Sequence, residues 1–64
     1  MEKFLYYIHV KPIKKYEDRE DYFLMADSVN FVRKSDGSMC YRLANYDSGK
    51  IWEFPFAEWE ISID

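Results

Sequence analysis

The stretch from Val29 to Leu43 constrains the fold more than any other part of the sequence. Val29-Asn30-Phe31-Val32-Arg33 and Ser38-Met39-Cys40-Tyr41-Arg42-Leu43 flank Lys34-Ser35-Asp36-Gly37. Asp-Gly between two alternating segments is a hairpin signal. A three-residue loop, Ser35-Asp36-Gly37, puts Gly37 at the left-handed position that closes such loops, where a residue without Cβ fits best. That loop pairs Val29 with Leu43, Phe31 with Tyr41 and Arg33 with Met39. A two-residue loop sets Phe31 against Arg42 and Val29 against Ala44 instead. Strand side chains alternate with period two, so a one-residue slip moves a whole apolar set to the other face. The three-residue loop is therefore expected.

Asp47-Ser48-Gly49 repeats the pattern ahead of Lys50-Ile51-Trp52-Glu53-Phe54. A four-residue loop starting at Tyr46 brings Leu43 opposite Trp52 and Tyr41 opposite Phe54; a three-residue loop brings Ala44 opposite Trp52. Pro55 stops that strand, Phe56-Ala57-Glu58 makes one tight turn, and Trp59, Ile61 and Ile63 alternate with Glu58, Glu60 and Ser62 as a last short strand.

At the other end, residues 3 to 11 also alternate. Phe4, Tyr6, Ile8 and Val10 share one face, and Lys3, Leu5, Tyr7, His9 and Lys11 the other. This is the pattern of a half-buried strand. Pro12 ends it, because proline cannot donate to a ladder and restricts the residue before it. Ile13 to Asp21 is polar and charged and reads as a long loop. Tyr22-Phe23-Leu24-Met25-Ala26 then resumes a run suited to a strand.

The whole 64-residue chain, residues 1–64, is expected to form a single small β domain, all-β or mostly β with one short turn or helix. A small five-stranded antiparallel sheet or an SH3-like barrel fits this order. The layout resembles an SH3-like barrel in three respects: a long charged loop after the first strand, a tight distal hairpin, and a single turn before the last strand. The family's aromatic ligand pattern is absent. Phe54-Pro55 begins like the family's final motif, but Phe56-Ala57-Glu58-Trp59 does not continue it. No proline-peptide binding is carried over.

A chain this short buries only about 60% of the surface it exposes when unfolded, so small domains lean on disulfides, a metal or a partner. Cys40 is the single cysteine and His9 the single histidine, so neither an internal disulfide nor a four-ligand Cys/His zinc site is available. No cofactor or metal is expected. A lone thiol points to a reducing compartment, the cytoplasm. The start of the chain lacks the apolar core of a signal peptide, and no run approaches the ~20 apolar residues of a membrane span.

Cys40 is also the only thiol and His9 the only imidazole, and they fall on separate strands, on faces opposite the expected core. Catalysis is not expected. The net charge of -3 is distributed in blocks. Lys3, Lys11, Lys14 and Lys15 oppose Glu2 near the start. Glu17, Asp18, Glu20, Asp21 and Asp27 surround the single Arg19, and Glu53, Glu58, Glu60 and Asp64 end the chain. The acidic run lacks the Asp/Asn/Gly spacing of a calcium loop.

Two Trp, six Tyr and five Phe exceed what one aligned face per strand can enclose. The expected core takes Phe4, Tyr6, Phe31, Tyr41 and Trp59 with Ile8, Val10, Leu43 and Ile61. Leu5, Tyr7, Val32, Tyr16, Tyr46 and parts of Phe54 and Phe56 are left without an interior. Tyr and Trp anchor interfaces. The expectation is a noncatalytic protein-binding module, a small inhibitor or modulator of a larger, nucleic-acid-handling enzyme of the kind carried by phages or mobile elements. Its contact residues are expected to be Leu5, Tyr7, Val32, Tyr46 and Trp52, with Glu17, Asp18, Glu20 and Asp21 meeting a basic cleft. The partner is another protein or a second copy of the chain. The alternative is an RNA or single-stranded DNA binder in which Arg33, Lys34, Arg42 and Lys50 meet phosphates beside stacking aromatics. An acidic total disfavours it.

Overall fold

A computed structural model describes residues 5–63. In chain order they form β1 (Tyr6–Pro12), a single 3-10 turn (Lys14–Tyr16), β2 (Tyr22–Ala26), β3 (Ser28–Arg33), β4 (Met39–Asn45), β5 (Lys50–Pro55) and β6 (Trp59–Ile63). The strands make two three-stranded sheets with neighbours ordered β2-β1-β6 (sheet A) and β3-β4-β5 (sheet B), and every pairing is antiparallel. The architecture is mostly β and compatible with a small SH3-like barrel.

The five-stranded count needs correction to six. Residues 22 to 33 pass from one sheet to the other at Asp27, which separates β2 from β3. That corner is held by polar contacts. The Asp27 N–H donates to the Ala44 carbonyl (3.0 Å), and its carboxylate accepts the Tyr46 N–H (3.1 Å). The Asn45 amide donates to the Met25 carbonyl (3.1 Å).

The first hairpin has the register expected from apolar matching, and the second takes the four-residue one of its two alternatives. Val29 faces Leu43, Phe31 faces Tyr41 and Arg33 faces Met39. Leu43 faces Trp52 and Tyr41 faces Phe54, as the four-residue loop requires. Gly37 and Gly49 have φ of 89° and 73°, the left-handed region that costs an L side chain most.

Of the first-strand residues, Lys3 and Phe4 lie outside the described residues. Pro12 is the last residue of β1 rather than the one beyond it, and it is buried opposite Trp59. The Ile13 N–H donates to the Glu58 carbonyl (3.0 Å). Backbone groups alternate in direction along a strand, so the nitrogen of Pro12 faces away from β6, toward the side of β2. Lacking an N–H, it cannot extend that ladder, whose last pair is Val10–Tyr22. The loop begins where the ladder stops.

Ile8, Val10, Ala26, Leu43 and Phe54 form the buried centre, with Leu24, Val29, Tyr41, Trp52, Trp59 and Ile61 packed around it. Fully burying an aliphatic side chain contributes about 1.5–3 kcal/mol, so these contacts dominate stability. Tyr22, Phe54 and Trp59 close one side as a triangle with ring centroids 5.5–5.7 Å apart. Tyr6 and Phe31, expected in the core, are 42% and 66% exposed. Tyr6 shares the inward face of β1 with buried Ile8 and Val10, and Phe31 shares that of β3 with half-buried Val29. A shallow depression there is lined by Tyr6, Val29, Phe31 and Ile63.

The 13–21 loop is fastened to the turn before β6. Arg19 Nη1 donates to Glu58 Oε1 at 2.7 Å. The Arg19 guanidinium lies 4.2 Å from the Tyr16 ring centroid and 5.6 Å from that of Trp59. The one cation within the acidic run is thus a structural clasp.

Candidate functional site: the outer face of sheet A

Alternation along β1 turns Ile8 and Val10 inward, so Tyr7, His9 and Lys11 face outward. Register places Met25 beside Tyr7, and Phe23 and Ser62 on either side of His9. Tyr7 is 61% exposed and Phe23 77% exposed. Met25 and Leu5 are also exposed, and Tyr7, His9, Phe23, Met25 and Ser62 line a shallow depression. The row beyond is charged, with Lys11 and Glu60 paired at 3.2 Å. One sheet face therefore grades from aromatic to ionic.

His9 joins the two halves. Its ring stacks on Phe23 with centroids 4.5 Å apart and planes 10° from parallel. Its Nε2 lies 2.6 Å from Asp21 Oδ2. A carboxylate only accepts, so Nε2 carries the donated proton. The imidazole thereby holds the Phe23 ring flat on one side and the end of the acidic loop on the other.

The residues singled out from sequence do not all meet. Leu5, Tyr7 and Asp21 border this face. Glu17, Asp18 and Glu20 are exposed along the loop that leads to it. Val32 pairs with Cys40 on the outer face of sheet B, across the molecule. Tyr46 is 68% exposed at the tip of the second hairpin. Trp52 corrects its expected role as a surface anchor: it faces inward opposite Leu43 and packs against the core. Phe23 and Met25 are functional candidates that sequence reasoning missed. The alternation Phe23/Met25 against Leu24/Ala26 was a usable signal, once the buried pair was turned toward the core.

The four basic residues do not form one patch either. The Arg42 guanidinium meets Glu53 Oε2 at 2.6 Å, and Lys34 pairs with the other oxygen of the same carboxylate. Those hydrogen bonds, Lys34 first and Arg42 second, hold the Glu53 carboxyl below its usual range, and Glu53 raises the Lys34 ammonium in turn. Arg33 and Lys50 have no ion-pair partner among the described residues, but they lie at opposite ends of sheet B, paired with Met39 and Asn45 respectively. At the first hairpin tip, the Ser38 hydroxyl and N–H both donate to Asp36 (2.6 and 2.9 Å) and lower its carboxyl pKa.

Cys40 is buried at 2% exposure between Val32 and Pro55 on the outer side of sheet B. His9 is on the outer side of sheet A. The two inner faces pack on each other, so the thiol and the imidazole point away from one another across the whole sandwich. No cluster of three or more His, Cys, Asp or Glu side chains suited to a metal occurs among the described residues. None of their helices is long and apolar enough to cross a membrane. No family model, curated protein or solved structure matches the chain.

Proposed function

We propose that this chain is a noncatalytic protein-binding module whose contact surface is the outer face of sheet A. The observation that carries the reading is the pair Tyr7 and Phe23, 61% and 77% exposed on adjacent strands. Each ring is held by a sheet rather than a loop. Rigid, exposed aromatics are the side chains that most often dominate binding energy, because they bury large areas at little cost in conformational entropy. Leu5 and Met25 widen the patch, while Asp21 and the Lys11–Glu60 pair give it a polar rim, the usual anatomy of an interface.

The acidic residues of the adjoining loop suit a partner that carries basic groups beside an apolar patch. A small inhibitor or modulator of a larger, nucleic-acid-handling enzyme meets that description. Affinity capture with the wild-type chain and with Tyr7→Ala and Phe23→Ala, reading protein and nucleic acid together, tests the assignment. Each truncation is expected to weaken partner binding by about 2 kcal/mol, roughly thirtyfold. Undiminished recovery with both variants, while each remains folded, removes the face from consideration. Recovery of nucleic acid alone, lost steeply with added salt, favours the alternative reading.

A further inference from the structure

The geometry points to β6 as a self-pairing edge: we propose that two copies of the chain join β6 to β6 antiparallel about a twofold axis centred on Ile61. Among the described residues, β6 is the last strand of sheet A and hydrogen bonds only to β1. The Ile13 N–H to Glu58 carbonyl bond sets the phase of that ladder. Glu60 and Ser62 then turn their backbone groups toward β1, opposite Lys11 and His9. Trp59, Ile61 and Ile63 turn theirs outward. An edge with every outward donor and acceptor intact is a template for another strand.

The outward sides of β5 and β2 are interrupted, and β3 is mismatched in the register centred on Phe31. On β5 the Phe56 N–H to Met39 carbonyl bond fixes the phase, so Ile51, Glu53 and Pro55 face outward, and Pro55 has no N–H to offer. The far side of β2 is taken up at Met25 by the Asn45 amide. β3, paired with itself about Phe31, sets Val29 against Arg33 and Asn30 against Val32, an apolar residue against a polar one each time.

β6 paired about Ile61 sets Trp59 against the second copy's Ile63 on the inner face and Glu60 against the second copy's Ser62 on the outer face. Within β6, apolar meets apolar and no two like charges stand opposite. Ile63 is 49% exposed although it points to the core side. A second copy's Trp59 covers it. The contact is isologous, so it closes at two copies and leaves no free β6 edge. The seam borders the Tyr7–Phe23 patch, sharing Ser62 and Glu60 with its margin, but its backbone pairing rests on the free edge of β6 and not on the proposed function.

Ser62 is exposed on the outer face, so charge can be placed there without disturbing the core. Sedimentation equilibrium at low salt, run up to about 1 mM chain, reads the association. The wild type is expected to shift with concentration from its 7.8 kDa monomer toward twice that mass. Ser62→Glu puts two Glu–Glu pairs across the axis and is expected to raise the dimer Kd about tenfold, whereas Ser62→Lys puts two Lys–Glu pairs there and lowers it by a similar factor. Circular dichroism confirms that both variants are folded. A monomer at every concentration overturns the proposal. So does a dimer whose Kd moves the same way, or not at all, in the two variants.

Discussion

Arg19 offers the sharpest test of how this small domain holds its longest loop. Its guanidinium makes one ion pair with Glu58 and lies over the rings of Tyr16 and Trp59. The pair is partly exposed, with 37% of the Arg19 side chain and 34% of the Glu58 side chain open to solvent. A surface ion pair of this kind contributes about 0.2–1 kcal/mol after screening. Each ring contact at an exposed site adds about 0.5–1 kcal/mol, the nearer Tyr16 ring more than Trp59. Arg19→Ala is therefore expected to cost about 1–2.5 kcal/mol, a fall in Tm of roughly 5–15 °C for a domain of this size. Urea unfolding followed by tryptophan fluorescence measures it, since Trp59 reports on the contact itself. Arg19→Lys keeps the charge but loses the planar stacking, so it should show more than half of the loss. Adding salt should erode the Glu58 share and leave the ring share. A loss below about 0.3 kcal/mol, or full rescue by lysine, would refute the clasp.

Leu43→Ala, at a position with 0% exposure in the middle of the core, should cost about 2–5 kcal/mol in the same assay and leave little folded protein. Gly37→Ala meets open space, yet its φ of 89° predicts a loss of about 1 kcal/mol, with no change in hairpin register by NMR. Glu53 and Asp36 have depressed carboxyl pKa values, so their contributions are present above the unfolded values of 4.5 and 3.8 and vanish as pH falls through the folded ones. Acid titration of Glu53→Gln should lack the Glu53 part of that loss below pH 4.5, while the alkaline loss from Lys34, expected above its unfolded value of 10.5, should shrink with it. The buried Cys40 thiol should react with a disulfide reagent only as fast as the domain opens, and at once in denaturant.

Local periodicity made the first hairpin's register legible and narrowed the second to two alternatives. Val29, Phe31, Tyr41, Leu43, Trp52 and Phe54 share one face only in the observed registers, and Gly37 and Gly49 fit the turns those registers demand. What periodicity cannot convey is how far the opposing sheet extends. Phe31 and Tyr6 have inward directions yet stay exposed, because direction is a property of one strand and cover is a property of two. Trp52, expected as a contact residue, instead shares the inward face with Leu43, because the second hairpin takes its four-residue loop. The break at Asp27 depends on contacts with Ala44, Asn45 and Tyr46, far away in sequence. The role of Arg19 likewise rests on Glu58 and Trp59, which no local pattern brings near it. The basic residues looked grouped in sequence, but strand geometry sends Arg33 and Lys50 to opposite ends and binds Lys34 and Arg42 to one carboxylate.

Two exposed aromatic groups compete for the role of contact surface. One is Tyr7 with Phe23 on sheet A, and the other is Phe31 with Tyr41 and Phe56, whose centroids lie 4.2–5.8 Å apart. The second is already satisfied in part by packing on itself. A quantitative capture comparing Phe23→Ser with Phe31→Ser decides between them, since both positions are largely exposed and both variants should fold. Loss of the partner with Phe23→Ser and retention with Phe31→Ser is the result expected if sheet A binds. Retention with Phe23→Ser, or loss only with Phe31→Ser, contradicts it.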